Sequence, residues 1–148
     1  MSSIDLYHKS TDSYDELQSK RPDYVSARKA FIDLATHFLK DKTNISVVDF
    51  CCGTGNNTEL LAQRIPVQKA TLIDINKEFL ALAQESELKK KVGELVTIQS
   101  DILNAPVKAE NDIVISMFAY HHVPDSQKAN YIEVAKSALK KGGNTSLG

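Results

Sequence analysis

At 148 residues, the chain falls in the size range of one domain with a single real core. Apolar residues make up 42% and charged residues 25%, with a net charge of −1; this is an ordinary globular composition without the basic footprint of a nucleic-acid binder. No apolar run approaches the roughly 20 residues that span a bilayer, and the opening MSSIDLYHKSTDS lacks the basic-then-apolar order of a signal peptide, so no membrane is expected and the cytoplasm is the default compartment.

Residues 1–24 are polar, carry Tyr7 and Tyr14 without a clear period, and read as an N-terminal arm. From about Pro22, the residues Tyr24, Ala27, Phe31, Leu34, Ala35 and Phe38 recur at helical spacing, which predicts an amphipathic helix laid on a sheet. A proline near its start is favourable because the missing N–H has no partner there anyway. His37 lies beside this stripe and reads as structural or solvated. Ile45 to Phe50 is β-branched and apolar, a buried strand closing on an acid, Asp49. Gly53 and Gly55 follow, then a helix from Thr58 to about Ile65 that Pro66 stops.

Ala70 to Asp74 is the second strand, and Lys77 to about Lys91 one helix that buries Phe79, Leu80, Leu82 and Ala83. Its Lys89-Lys90-Lys91 end complements the helix dipole, and Gly93 ends it. Leu95 to Gln99 and Asp112 to Met117 are the third and fourth strands. A helix runs from Ser126 to about Leu139, and Gly142-Gly143 turns the chain into a fifth strand beginning within Asn144–Gly148. Strands alternating with helices predict an α/β fold, a parallel sheet with helices on both faces.

A strand, a Gly-x-Gly turn and a helix N-terminus together bring backbone N–H groups close to a ligand. Without a Cβ, Gly53 and Gly55 permit unusual φ and close approach. A dinucleotide site prefers Gly-x-Gly-x-x-Gly, but Thr58 stands where the third glycine would be. The carboxylate of Asp49 suits a ligand with positive charge, an ammonium or a sulfonium. Asp74, closing the next strand, can accept from both hydroxyls of a ribose. Two acids around a glycine turn describe S-adenosylmethionine better than NAD. The adjacent Cys51 and Cys52 are poor candidates for a mutual disulfide, lack further ligands at metal-binding spacing, and read as small buried residues flanking the turn; no metal is expected.

The stretch VVDFCCGTG resembles motif I of the class I S-adenosylmethionine-dependent methyltransferases, which have a Rossmann-like, seven-stranded fold. The likeness continues in LIDIN (72–76), SDIL (100–103), DIVISMFAYHHVPD (112–125) and LKKGG (139–143), and covers about residues 25 to 143. It implies a three-layer α/β/α sandwich over 25–148, incomplete because a whole member continues through strands five, six and seven, and an arm (1–24) of the kind that forms a lid over the cofactor in similar methyltransferases. It also implies roles. Asp49, Cys51, Gly53 and Gly55 would hold the methionine part, Asp74 the ribose hydroxyls, and Ile75 one adenine face. Asp101 would accept from the exocyclic amine, and the N–H of Ile102 would meet a ring nitrogen. Met117 leaves strand four toward the methyl group. Transfer from a sulfonium is an in-line displacement in which alignment supplies most of the acceleration. Where the acceptor must lose a proton, His121 is the candidate base, with both histidines of the pair alternatively shaping the pocket wall.

No Gly-Lys-Ser/Thr follows the glycine turn, which sets aside a P-loop. Neither an Asn/Asp-Pro-Pro-Tyr nor a Pro-Cys follows strand four, which leaves a small-molecule acceptor by elimination. Two rivals stand beside this reading. One is an NAD(P)-dependent oxidoreductase, disfavoured by Asp49 and the absent third glycine. The other is a non-catalytic nucleotide-binding or scaffolding module, a homodimer through an unpaired sheet edge.

Overall fold

The computed structural model describes residues 22–50, 54–116 and 123–147; the side chains of 22–25 and 141–147 lie outside that description, as does the arm before Pro22. In chain order the elements are α1 (Pro22–Leu39), β1 (Ile45–Phe50), α2 (Asn56–Ala62), β2 (Val67–Asp74), α3 (Lys77–Gln84), α4 (Leu88–Lys91), β3 (Glu94–Gln99), β4 (Asn111–Ser116), α5 (Lys128–Ser137) and β5 (Leu139–Leu147). Short 3₁₀ turns at Ile102–Asn104 and Asp125–Gln127 flank β4.

The five strands form one parallel sheet in the order β3-β2-β1-β4-β5. Strand β1 is central, and its apolar side chains alternate between two cores. Ile45 and Val47 face Ile32, Ala35 and Leu39 of α1, Leu61 of α2, and Leu80, Ala83 and Leu88 of α3 and α4. Val48 and Phe50 point the other way, to Ile73, Val114 and Ala135 of α5, with Ala138 just past its end. A strand covered on both faces reads as a near-continuous apolar run, which is why Ile45–Phe50 was legible. Each such side chain contributes about 1.5–3 kcal/mol by leaving water. Helices therefore cover both faces, as expected. Among the described residues, no helix is long and apolar enough to cross a membrane.

Four expectations are corrected. Helix α1 buries Ile32, Ala35 and Leu39, whereas Leu34 and Phe38 are each 56% exposed. This helix carries apolar side chains on more than one side, so periodicity cannot choose its roll; an ion pair from Asp33 to Arg64, just past the end of α2, lies on the side that the tertiary fold selects. The single helix expected over Lys77–Lys91 is two. Ser86 Oγ donates to the Ala83 carbonyl at 2.7 Å and accepts from the Leu88 N–H at 3.2 Å, an alternative that competes with the helical ladder. The break drops Leu88 fully into the core. Strand β2 begins at Val67, directly after Pro66. Strand β5 begins at Leu139, not at Asn144: Asn111 pairs with Leu139 and Ile113 with Asn144, so the LKKGG stretch is an irregularity inside the strand. Asn111 holds that start in place, giving both its N–H (3.1 Å) and its Nδ2 (2.9 Å) to the Ala138 carbonyl.

At the amino-terminal edge of the sheet, the buried carboxylate of Asp112 ties β4 to β1. It accepts from the Ser46 N–H at 2.9 Å and faces Lys140 at 2.6 Å and Lys42 at 3.9 Å.

Candidate functional site

From β1 the chain crosses to β2 on one side, and from β4 to β5 on the other, so strand order reverses between β1 and β4. Open α/β sheets bind ligands outside the carboxyl ends of their strands at such a reversal. Asp49 is the penultimate residue of β1 and Asp74 the last of β2. Side chains alternate along a strand; Asp49 shares the face of Val47, and Asp74 that of Leu72, so both carboxyls lie on the α2–α3 side. Asp49 stands opposite Leu72 in the register, which sets Asp74 one pleat nearer the carboxyl edge.

Both acids are buried, Asp49 at 1% exposure and Asp74 at 5%. Thr58 Oγ1 donates to Asp49 Oδ2 at 2.8 Å. The residue in place of a third glycine is thus a fully buried donor to the motif acid, a role that no spacing rule announced. Removal from water pushes the Asp49 carboxyl up to about 7, against the lowering effect of the Thr58 hydrogen bond and with a further push from the charge of Asp74. Asp74 Oδ1 accepts from the Asn76 N–H at 2.9 Å. Asn76 in turn caps α3, its Oδ1 accepting from the N–H groups of Glu78 (2.9 Å) and Phe79 (3.2 Å). The sequence Asp-x-Asn before Lys77 carries that cap signal.

Among the described residues, two buried polar atoms at the same end of the sheet have no hydrogen-bond partner: Asn57 Oδ1 in the first turn of α2, and Asn76 Nδ2. Buried polar groups are nearly always satisfied, so such atoms call for a partner beyond the described side chains.

Gly55 is glycine for reasons of packing. It sits at φ 85°, and a Cβ there would come within 2.9 Å of Leu88 Cδ2 and 3.1 Å of Leu72 Cδ1. The atoms that a side chain would meet first belong to the core beneath the turn, not to an incoming ligand. Ile75, next to Asp74, is 44% exposed. Asp101 is exposed and caps its 3₁₀ turn, Oδ1 accepting from the Leu103 N–H at 2.7 Å and Oδ2 from Asn104 Nδ2 at 2.9 Å. Ile102 is half-buried against the second core, with its N–H at the start of that turn. Cys51, Gly53, Met117 and His121 lie outside the described residues.

At the carboxyl ends of β1 and β4 stand Phe50 and Ser116, the last residues of the two strands. Beneath them lies Tyr131 of α5, fully buried, edge-on to Phe50 with ring centroids 6.0 Å apart and its hydroxyl hydrogen-bonded to Ser116 Oγ. Among the described residues, no group of three His, Cys, Asp or Glu side chains is placed to hold a metal ion. The chemistry on offer is two carboxyls at the ends of adjacent strands, one of them held near neutral pH chiefly by its removal from water. They suit a ligand that brings a cation and hydroxyl donors.

Residues 47–143 match the pattern of a methyltransferase domain family. An uncharacterised methyltransferase of Geobacillus thermodenitrificans is 26% identical over 146 residues, covering 95% of this chain and 63% of the relative. A trans-aconitate 2-methyltransferase of Variovorax paradoxus is 39% identical over 98 residues, 66% of this chain and 35% of that protein. A solved structure from Methanococcus maripaludis, assigned to the S-adenosyl-L-methionine-dependent methyltransferases, superposes with a TM-score of 0.74 at 18% identity, over 95% of this chain and 62% of its own. The chain thus spans less than two thirds of the length of these proteins.

Proposed function

Because the chain belongs to the family of methyltransferase domains, we propose that it binds S-adenosylmethionine and takes part in methyl transfer to a small-molecule acceptor. The observation that carries this reading is the buried pair Asp49 and Asp74 at the ends of β1 and β2, with Thr58 donating to Asp49. A carboxyl pushed up to about 7 by burial and a second acid is one that a positively charged ligand returns to its ionised form. The amino group of the methionine part supplies that charge. Asp74 accepts from the ribose hydroxyls, and the exposed Ile75 covers one face of the adenine. Asp101 keeps lone pairs for the exocyclic amine beyond the two bonds that hold its turn, and the Ile102 N–H is offered to a ring nitrogen. Asn57 Oδ1 and Asn76 Nδ2, without a partner among the described residues, lie at the same end of the sheet and fit a polar ligand.

When bound, the cofactor supplies an electrophilic methyl group on a sulfonium whose leaving group is a neutral thioether. What the chain contributes is alignment and exclusion of water: the acids fix the ligand's ends, and the family resemblance assigns Met117, in the segment after β4, to the side of the methyl group. His121, in that segment, takes a proton where the accepting atom must lose one. The cytoplasmic setting belongs to this reading, as does the N-terminal arm as a lid. A homodimer is the remaining element, and sedimentation decides it.

The test is calorimetric titration with S-adenosylhomocysteine, alongside NAD and an Asp74→Ala variant. Charge-assisted hydrogen bonds contribute about 1.5–3 kcal/mol each. The expectation is therefore micromolar binding of S-adenosylhomocysteine, weakened roughly ten- to a hundred-fold in the variant, and none of NAD. A folded chain that binds neither compound, or prefers NAD, would sink this reading.

A further inference from the structure

We propose that Tyr131 is a positioning residue that braces the carboxyl ends of β1 and β4 against each other. The observation is one of convergence. Phe50, whose ring meets Tyr131 edge-on, is the residue at which the chain leaves β1 for Cys51–Gly53. Ser116, hydrogen-bonded to the Tyr131 hydroxyl, is the residue at which it leaves β4 for residues 117–122. Val123, at which it returns from that segment, packs with Tyr131 in a separate buried cluster, together with Ile102 and Leu103 of the 3₁₀ turn after β3. The last residue of β1, the last residue of β4, Val123 and the turn assigned to adenine all meet at one side chain of α5.

Tyr131 is the largest fully buried side chain among the described residues. Aromatic rings carry a large contact area with a defined geometry, and a buried phenol must be hydrogen-bonded, so ring and hydroxyl each fix a direction. A residue needed only to fill this space could be phenylalanine; both members of a buried hydroxyl pair can be replaced by apolar groups at little cost to stability. What the pair adds is orientation of Ser116, the last residue of β4.

This inference rests on the proposed cofactor reading for what the braced segments hold, but the test reads the brace separately. Cys51 and Cys52 are the chain's two cysteines, so the rate at which an aromatic disulfide reagent modifies the native full-length chain reports on the segment after Phe50. We compare Tyr131→Phe, Ser116→Ala and their combination with Ile45→Val, a core change at the far end of β1 that sets the effect of lost stability alone. With one hydrogen bond removed, thiol modification rises about 3- to 10-fold and S-adenosylhomocysteine affinity falls about 3- to 10-fold. The combined variant labels as fast as the single ones although it strands no hydroxyl, because orientation, not stability, is what the contact supplies. Labelling and affinity that track stability alone, as in Ile45→Val, would overturn the proposal and leave Tyr131 a core tyrosine. Should Tyr131→Phe fail to fold, Ser116→Ala reads the same contact. Faster labelling of the variants, beside a folded wild-type chain that binds no S-adenosylhomocysteine, would uphold the brace and refute the methyl-transfer reading. Unchanged labelling of the variants, beside a wild-type chain that does bind, would do the reverse.

Discussion

Asparagine in place of Asp49 keeps the shape of the side chain and an oxygen for the Thr58 hydroxyl, and removes only the charge. In the folded chain this carboxyl is pushed up from 3.8 to about 7, chiefly by burial. Each unit of such a shift corresponds to about 1.4 kcal/mol, so the ionised form costs the fold about 4 kcal/mol. The sign follows from proton binding. The folded chain holds this proton more tightly than the unfolded one, so its stability falls as pH rises from about 4 to about 7, and the full cost persists above that. An amide has no such proton to lose. Relative to the wild type, Asp49→Asn therefore gains stability steadily as pH rises, by about 3 kcal/mol between pH 5 and pH 8. Urea denaturation at four pH values across that range measures the difference directly, and the comparison cancels every other titrating group. Binding moves the opposite way: the variant holds S-adenosylhomocysteine about ten- to a hundred-fold more weakly at pH 8, because the ligand's ammonium loses its counter-charge. A stability difference that stays constant from pH 5 to pH 8 would show that Asp49 ionises at its ordinary pKa in the fold, and would remove the electrostatic reason for a cationic ligand.

Gly55→Ala adds a Cβ at φ 85° against Leu88 and Leu72 and should cost about 2–3 kcal/mol in chemical denaturation. In a Leu88→Ala background the penalty should shrink to the backbone share, and an unchanged penalty would mean that packing plays no part. Asp112→Ala strands the Ser46 N–H and two lysines at the opposite edge of the sheet, an expected loss of about 2–3 kcal/mol. The affinity of the folded variant for S-adenosylhomocysteine should stay at the wild-type value; a drop would show that the two ends of the sheet are not independent.

The strands were legible because a parallel sheet buries both faces and writes itself as β-branched runs; Ile45–Phe50 and Asp112–Ser116 are the plainest. The acids were legible because each closes such a run. Where the reading failed, the deciding interaction was distant or too local for a periodic pattern. The roll of α1 is chosen by tertiary contacts. The split between α3 and α4 hangs on one hydroxyl, that of Ser86. The start of β5 is set by Asn111 holding the Ala138 carbonyl from a neighbouring strand, which makes the double glycine look like a turn before the strand when it lies inside it. Thr58 as partner to Asp49, and Tyr131 as partner to Ser116, needed three dimensions: each pair joins a strand to the helix that packs on it. Gly55 was read correctly as a position that needs glycine, although the close approach is to leucines.

The tie between Ser46 and Asp112 spans 66 residues of chain, and that distance has a kinetic meaning. Strands β1, β2 and β3 pair in succession within 45–99, so this half can assemble through short loop closures. Strand β4 docks on β1 only when a far longer loop closes, the slower and entropically costlier event in folding. The chain thus closes in two steps that meet along the β1–β4 line. A ligand that binds only the folded site would, by mass action, make opening of that site rarer.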